Sequence, residues 1–205
     1  AWSTSTLYFV TSRTSLYLYL QEYGADSNIL TLYIDYISLK PVTNDLVGYW
    51  ALDGSDGKAL SFTTNDFIDC GSDSSLAVGD DGAGMTTSAW ILGAGDGDIC
   101  GKWQDGAGYT MSITSSKPIF FVKTSDDYLY ATGSGMSTTV WHHVVFTKEG
   151  DTIIAYIDGA QTATAGSRPV DIGVSTNNFR IGHTGRYGYY NKDIAQVGVY
   201  DAALT

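Results

Sequence analysis

The stretch WHHVVFTKEGDTIIAYIDGAQ, residues 141–161, decides the fold class. The run TIIAYI (152–157) is bounded by turn signals on both sides. Glu149-Gly150-Asp151 precedes it, and Asp158-Gly159 follows it as the Asp-Gly pair that favours a type I′ turn. These signals predict two adjacent hairpins made from three antiparallel strands.

The same recurrence of strand-like runs and turn signals extends over most of the chain. From Leu46 onward, strand-like runs recur with turn signals between them, which is typical of an all-β sandwich. Tyr109, Met111 and Ile113 alternate with polar residues, so the strand 109–114 is predicted to have one buried face and one wetter face. The sequence therefore predicts a two-sheet antiparallel β-sandwich over residues 46–205.

Residues 1–42 are predicted to belong to a different unit. They hold three strand-like runs, too few for an independent core. The run YIDYISLKPV (33–42) resembles the closing strand of a carbohydrate-binding jelly-roll module, and residues 40–45 read as a linker. Two interpretations stay open, the tail of a preceding β module or extra strands docked on the main domain.

Charge and hydropathy exclude two classes of partner. The formal net charge of -11 would repel a phosphate backbone, so nucleic acid is not an expected partner. The longest apolar runs fall far short of the ~20 residues that span a bilayer, so no membrane insertion is expected. The chain reads as an excised piece, with no targeting signal in view.

Two cysteines, Cys70 and Cys100, lie 30 positions apart without further thiols or histidines at zinc-ligand spacing. A disulfide and a pair of small buried thiols are both compatible with the apolar patterns around them.

Seven segments resemble, in order, the laminin-G-like members of the concanavalin A-like lectin/glucanase superfamily. They are LVGYWALDG (46–54), ALSFTTNDFIDCG (59–71), MTTSAWILG (85–93), ICGKW (99–103), WHHVVFTKEGDTIIAYIDGAQ (141–161), FRIGH (179–183) and DIAQVGVYDAALT (193–205). The resemblance implies a jelly roll of two curved sheets. Its members include lectins, adhesion modules, accessory domains of enzymes and glycoside hydrolases, so the fold leaves function to be decided by the site.

Large rings in these strands are expected to fill the space between the sheets. Trp50, Trp90 and Trp141 are all predicted to be core residues. His142 and His143 follow each other in a strand and should point to opposite faces, where structural imidazoles are expected rather than catalytic ones.

No catalytic site is predicted. Glycoside hydrolysis needs two facing carboxylates, and relatives that hydrolyse glucans alternate glutamates along one strand. The two glutamates here, Glu22 and Glu149, do not fit that pattern. Asp96, Asp98 and Asp126 lie in Gly/Ser-rich segments without an apolar pocket that would raise one pKa.

Aromatic residues point instead to carbohydrate binding, because sugars stack on exposed rings. The stretch 183–191, with three tyrosines and an arginine, is the first candidate surface, and its expected ligand contacts are His183, Arg186, Tyr187 and Tyr189. A second candidate surface combines Trp103 and Tyr109 of the loop 103–109 with the pair Tyr128 and Tyr130, although packing is favoured for Tyr130. For these rings, packing at a sheet edge is the alternative.

The resemblance also implies one structural calcium ion near the first and last strands, with Asp53 and Asp193 as the nearest matching acids. Where the family commonly has two carboxylates in I-D-E-V, this chain has Ile194-Ala195-Gln196-Val197, which weakens that expectation because calcium affinity depends on carboxylate count.

The expected function is a non-catalytic carbohydrate-recognition or adhesion module of an extracellular, cell-surface or virion protein, such as a phage tail fibre or a bacterial surface adhesin. An accessory domain of a secreted polysaccharide-degrading enzyme is one alternative. A structural spacer, with oligomerisation through flanking regions, is another.

Overall fold

The computed structural model describes residues 46–50, 52, 59–79, 83–104, 107–123, 128–166, 172 and 175–204, all of which belong to the unit Pro41–Thr205. The predicted N-terminal unit, residues 1–42, lies outside these ranges and stays a prediction. No helix in the described ranges is long and apolar enough to cross a membrane.

The described residues form β-strands and one short 3₁₀ helix, Ser74–Leu76. The strands are β1 (Leu46–Trp50), β2 (Leu60–Ser61), β3 (Ile68–Asp69), β4 (Met85–Leu92), β5 (Gly97–Gln104), β6 (Ala107–Thr114), β7 (Lys117–Lys123), β8 (Tyr128–Thr132), β9 (Trp141–Glu149), β10 (Thr152–Ile157), β11 (Ala160–Ala165), β12 (Arg180–Ile181) and β13 (Asp193–Tyr200).

These strands pair into two antiparallel sheets, so the predicted all-β, jelly-roll class is confirmed. The seven-stranded sheet has the order β1-β13-β4-β9-β10-β11, with β2 also paired to β13. The six-stranded sheet has the order β3-β12-β5-β6-β7-β8. The first described strand and the last one are hydrogen-bonded neighbours, with Tyr49 opposite Gly198.

The two hairpins predicted from residues 141–161 are confirmed. The β9–β10 pair turns at Gly150, which has φ +54°, and the β10–β11 pair turns at Asp158 and Gly159. Asp158 and Gly159 both have positive φ, +53° and +79°, as the two central residues of a type I′ turn require.

The core lies between the sheets and is formed by the inward-facing residues of each strand. Phe120 of β7 stacks on Phe146 of β9 across the interface, with ring centroids 5.3 Å apart, and both side chains are fully buried. Alternating aliphatic residues of β4, β6 and β10 surround this pair, including Ile91, Met111 and Ile153. Burial of such side chains contributes about 1.5–3 kcal/mol each to folding.

The prediction that three tryptophans fill the core is wrong for two of them. Trp50 packs against the core and stacks on Phe179 at 4.6 Å. Trp90 and Trp141 each keep 38% of their surface exposed. Ala89 and Ile91 on either side of Trp90 are fully buried, so strand alternation turns Trp90 outward, where it stacks on His143.

The two histidines do point to opposite faces, as predicted. His142 is buried, and its Nδ1 lies 2.8 Å from Oδ2 of Asp158 in the β10–β11 turn. The backbone nitrogen of His143 donates to the other Asp158 oxygen at 2.8 Å. The carboxylate therefore ties strand β9 to this turn, which is a structural role.

Both cysteines are free thiols. Cys100 is fully buried in β5 and Cys70 is half-buried. Burial raises the pKa of Cys100 to about 12 and that of Cys70 to about 11, so both stay protonated at neutral pH.

Candidate functional site

A buried carboxylate organises the loop between β12 and β13. Asp98 of β5 has no exposed surface. Its two oxygens accept hydrogen bonds from the backbone nitrogens of four consecutive residues, at 3.0 to 3.3 Å: Thr184, Gly185, Arg186 and Tyr187. Successive N–H groups that converge on one carboxylate fix the conformation of the chain that carries them.

The polar side of β6 completes the support beneath this loop. Ser112 donates to Asp98 Oδ1 at 2.7 Å, and the Thr110 hydroxyl lies 3.2 Å from Ser112 Oγ and 3.0 Å from Thr184 Oγ1. Thr110 and Ser112 are fully buried, so the prediction of a wetter face on this strand is wrong. The loop covers that face, and the hydroxyls satisfy one another and the carboxylate.

Main-chain contacts hold the rest of the 183–191 loop against β5. Asp98 N donates to Gly188 O at 2.9 Å, and Tyr190 N donates to Gly182 O at 2.8 Å. A Cβ atom at Gly97, which has φ +141°, would lie 2.6 Å from Tyr189 O, so glycine permits this close approach. The Tyr190 hydroxyl is anchored on Gly93 O at 2.7 Å. Hydrogen bonds therefore hold the loop near its start, near its end and on the side that faces β5.

Arg186 is presented by this loop onto a group of aromatic rings. The central guanidinium carbon, Cζ, lies 3.4 Å from the ring centroid of Phe121 and 4.8 Å from the rings of Trp103 and Tyr187. Its Nη2 donates to the Tyr187 hydroxyl at 3.3 Å. Cation–π contacts of this kind hold a guanidinium flat against a ring.

Three roughly parallel rings continue the surface from β7 onto the edge strand β8. Phe121 lies 5.4 Å from Tyr128 and 5.8 Å from Tyr130, with interplanar angles of 13° and 8°. The two tyrosines occupy alternate positions on β8 and therefore share a face; 49% of Tyr128 and 47% of Tyr130 are exposed.

These features meet in one groove of about 550 Å³, called the Arg186 groove here. Its lining residues are Ile119, Phe121, Lys123, Tyr128, Tyr130, Arg186 and Tyr187. It combines apolar ring surface with cationic and hydroxyl groups, which is the composition of a site for a polar organic ligand.

The structure brings four of the predicted ligand contacts together at or beside this groove. Tyr128, Arg186 and Tyr187 line it, and Trp103 packs edge-on against Phe121 at 5.4 Å beneath the guanidinium.

Two other predicted contacts form a separate stack. His183 and Tyr189 lie 3.9 Å apart and nearly parallel, with the half-exposed ring of Phe67 6.2 Å from His183. Arg180 lies over Phe67 at 5.1 Å. This group is called the His183 cluster.

Tyr109 belongs to neither group. Only 1% of its surface is exposed, its ring packs near Phe120 and Phe179 in the core, and its hydroxyl donates to Leu76 O at 2.9 Å. In this position it cannot contact a ligand on the outer face of the sheet.

Four residues that line the groove were not among the predicted contacts: Ile119, Phe121, Lys123 and Tyr130. Phe121 and Lys123 lie in strand β7, where the sequence has none of the turn or loop residues that marked the first candidate surface. For Tyr130 the favoured prediction is packing at a sheet edge, although its two-residue spacing from Tyr128 is the signal that places both rings on one face.

Of the two predicted calcium ligands, only Asp193 lies within the described residues. Asp193 Oδ1 accepts a hydrogen bond from the Ser61 hydroxyl at 2.6 Å, and Asp53 lies outside the described ranges. Within those ranges, no three His, Cys, Asp or Glu side chains come together as a metal-binding group. Calcium binding stays a prediction.

The fold and the groove define the class of protein, an antiparallel sandwich with an aromatic, cationic surface on one sheet. A family model for the concanavalin A-like lectin/glucanases superfamily matches residues 62–205, and the chain belongs to this superfamily. The laminin-G-like resemblance seen in the sequence is thereby confirmed. No curated protein matches the chain by sequence.

Solved structures show the same architecture at low identity. The Ruminococcus gnavus IT-sialidase CBM40 is 12% identical with a TM-score of 0.61, over 78% of this chain and 94% of that one. Domain 4 of AbnA, an extracellular arabinanase from Geobacillus stearothermophilus solved with arabinotriose, is 17% identical with a TM-score of 0.57, over 75% of each chain. Mouse laminin α1 LG4-5 is 11% identical with a TM-score of 0.53, over 71% of this chain and 45% of that one. At these identities the likeness establishes the fold alone.

Proposed function

We propose that this chain is a non-catalytic carbohydrate-binding module whose ligand occupies the Arg186 groove. The observation that carries the proposal is the pairing of exposed, roughly parallel rings with an oriented guanidinium in one groove. Rings of Tyr128 and Tyr130 offer flat apolar faces for the C–H surface of a sugar, and Arg186 offers hydrogen-bond donors for its oxygens.

The structural neighbours support this proposal through what was solved with them. The R. gnavus sialidase module was solved bound to α2,3 sialyllactose, and the arabinanase domain was solved with arabinotriose. Both are domains of glycan-active enzymes, and both share the sandwich of this chain.

The state of the aspartates supports a binding role over a hydrolytic one. A glycosidase needs two carboxylates free to act as acid and base or nucleophile. The Asp98 oxygens are occupied by the 183–191 loop, and Asp96 is exposed, with its Oδ1 3.4 Å from the backbone nitrogen of Ser116. Asp126 lies outside the described residues.

We place the module in an extracellular protein. The two neighbours that come from enzymes favour an accessory domain of a secreted polysaccharide-degrading enzyme. Two other predictions remain: a tail fibre or surface adhesin, and a structural spacer. Any sequence that flanks this chain in the full protein would distinguish between them.

Ring removal tests the proposed function. The change Tyr128→Ala with Tyr130→Ala should weaken glycan binding by about 1–3 kcal/mol, as expected for the loss of interfacial anchors. A glycan array screened with a multivalent display of the protein measures this, since multivalency can raise avidity by about 10²–10⁴.

Two further variants make the result specific. Tyr156→Ala, on the seven-stranded sheet, is the control and should leave binding unchanged. If Tyr189→Ala abolishes binding while the Tyr128/Tyr130 change does not, the ligand site is the His183 cluster. Absence of binding to any arrayed glycan would overturn the proposed function.

A further inference from the structure

The guanidinium of Arg186 has more donors than partners. Of its five N–H groups, the described contacts use one at Nη2, which donates to the Tyr187 hydroxyl. Its Nε is buried and has no hydrogen-bond partner. A buried donor of a charged group without a partner is costly, and a ligand oxygen that accepted from it would remove that cost.

Three aromatic rings surround the guanidinium of Arg186 and restrain its position. The Phe121 ring lies 3.4 Å below Cζ, and the rings of Trp103 and Tyr187 flank it. These ring contacts restrain the guanidinium, and among the described contacts its Nη1 has no hydrogen-bond partner. A guanidinium held in this way binds a carboxylate through two parallel N–H···O bonds.

The positive charge of Arg186 favours the same ligand, although the whole chain is acidic. Among the described residues that line the groove, Arg186 and Lys123 are basic and none is acidic. The nearby Asp98 carboxylate is buried and accepts from the loop N–H groups, so its oxygens are not directed at the guanidinium. A net charge of -11 lowers the encounter rate with anions, and short-range pairing in the groove determines which ligand stays bound.

We propose that the Arg186 groove binds an acidic sugar residue, with the sugar carboxylate paired to the Arg186 guanidinium and the sugar ring against Tyr128 and Tyr130. This inference rests on the proposed function and names its ligand class. The carboxylate can belong to a uronic acid or to a sialic acid, which present the same planar anion on different sugar rings.

Carboxyl reduction of the ligand tests the proposal without altering the protein. The probes are a galacturonic acid trisaccharide and α2,3 sialyllactose, each compared with its carboxyl-reduced form by calorimetry or surface plasmon resonance. At least one acidic probe should bind, and reduction of its carboxylate should weaken binding about tenfold or more, as expected for loss of a charge-assisted pair. The probe that shows this difference identifies the sugar class.

Variants of Arg186 test whether the affinity difference between the acidic probe and its reduced form depends on this side chain. Arg186→Gln should bring the acidic probe down to the affinity of its reduced form, and Arg186→Lys should restore only part of the difference because a point charge lacks the planar fork. Arg180→Gln is the matched control, since Arg180 also lies over a phenylalanine ring but in the His183 cluster. It should leave the difference unchanged, and melting curves check that each variant is folded.

The outcomes separate this inference from the proposed function. Equal binding of the acidic and reduced probes, or binding of neutral glycans only, overturns the proposal of an acidic ligand. The proposed carbohydrate-binding function still stands in that case if Tyr128→Ala and Tyr130→Ala weaken glycan binding. Retention of the acid preference in Arg186→Gln overturns the assignment to Arg186. Failure to bind any glycan, acidic or neutral, overturns the proposed function itself.

Discussion

Asp98 Oδ2 lies 3.0 Å from the backbone nitrogen of Arg186, so a buried carboxylate in one strand sets the position of a cation on the surface. The contact is part of a group in which Asp98 also accepts from Ser112 and from three other loop nitrogens. The groove is thereby organised before any ligand arrives, which reduces the entropic cost of binding.

Removal of this carboxylate should weaken both the fold and the groove. Asp98→Ala leaves buried N–H groups without acceptors and should lower the free energy of unfolding by about 2–4 kcal/mol. Urea denaturation measures the loss. Asp96→Asn, on an exposed neighbour, is the control and should stay within about 0.5 kcal/mol of the parent. Equal stability of the two variants would show that Asp98 does not hold the loop.

The position of a ring, rather than its size, should determine its contribution to stability. Phe146→Ala removes a fully buried ring and should cost about 3–5 kcal/mol. Trp90→Ala removes a larger ring that is 38% exposed and should cost only about 1–2 kcal/mol. Urea denaturation of the two variants tests the ranking, and a greater loss for Trp90→Ala would contradict the outward orientation of that ring.

The buried thiols should make the protein sensitive to alkali. Both cysteine pKa values lie above their ordinary value of 9.0, at about 11 and about 12. The unfolded chain therefore releases these protons first, and the free energy of unfolding should fall as pH rises from about 9 to about 12.

Two measurements check the thiol prediction. A Cys70→Ala, Cys100→Ala variant should lose the part of the decline that begins near pH 9, while buried Tyr109, whose pKa burial also raises, keeps a later part. Iodoacetamide at pH 8 should leave Cys100 unmodified in the native protein and alkylate both thiols in urea. Rapid native alkylation of Cys100 would contradict its burial.

Calcium remains a prediction that a melting curve can decide. If Asp193 and Asp53 hold an ion, excess chelator should lower the melting temperature, because an ion bound only to the native state stabilises it. Asp193→Asn should abolish this response. An unchanged curve with chelator and with added calcium would leave Asp193 with its Ser61 hydrogen bond alone.

Local chemistry determined which features the sequence could predict. The Asp158-Gly159 turn follows from backbone preferences of two adjacent residues, and the loop containing Arg186 and Tyr187 was visible from its composition. Tyr109 was predicted both on the buried face of its strand and on a ligand surface, and its burial agrees with the alternation. Trp90 was misplaced because it lies in a run with apolar residues at neighbouring positions. Such runs hide which alternating set faces inward.

The central contact of the site could not be predicted at all. Asp98 meets its loop donors across 86 to 89 positions of sequence, and an aspartate beside glycine reads as an ordinary turn residue. Only the pairing of β5 with β6 and β12 brings these groups together.

The described hydrogen bonds between Asp98 and residues 185–187 all come from main-chain nitrogens. The hydrogen bonds that shape this turn would therefore persist with any amino acid except proline at positions 186 and 187, because proline lacks the N–H donor. Thr184, in contrast, also contacts Thr110 through its hydroxyl. Substitutions at positions 186 and 187 can consequently change the ligand preference while the turn keeps its conformation. A library randomised at these two positions should give mostly folded proteins with diverse glycan preferences, and the same library in an Asp98→Ala background should not.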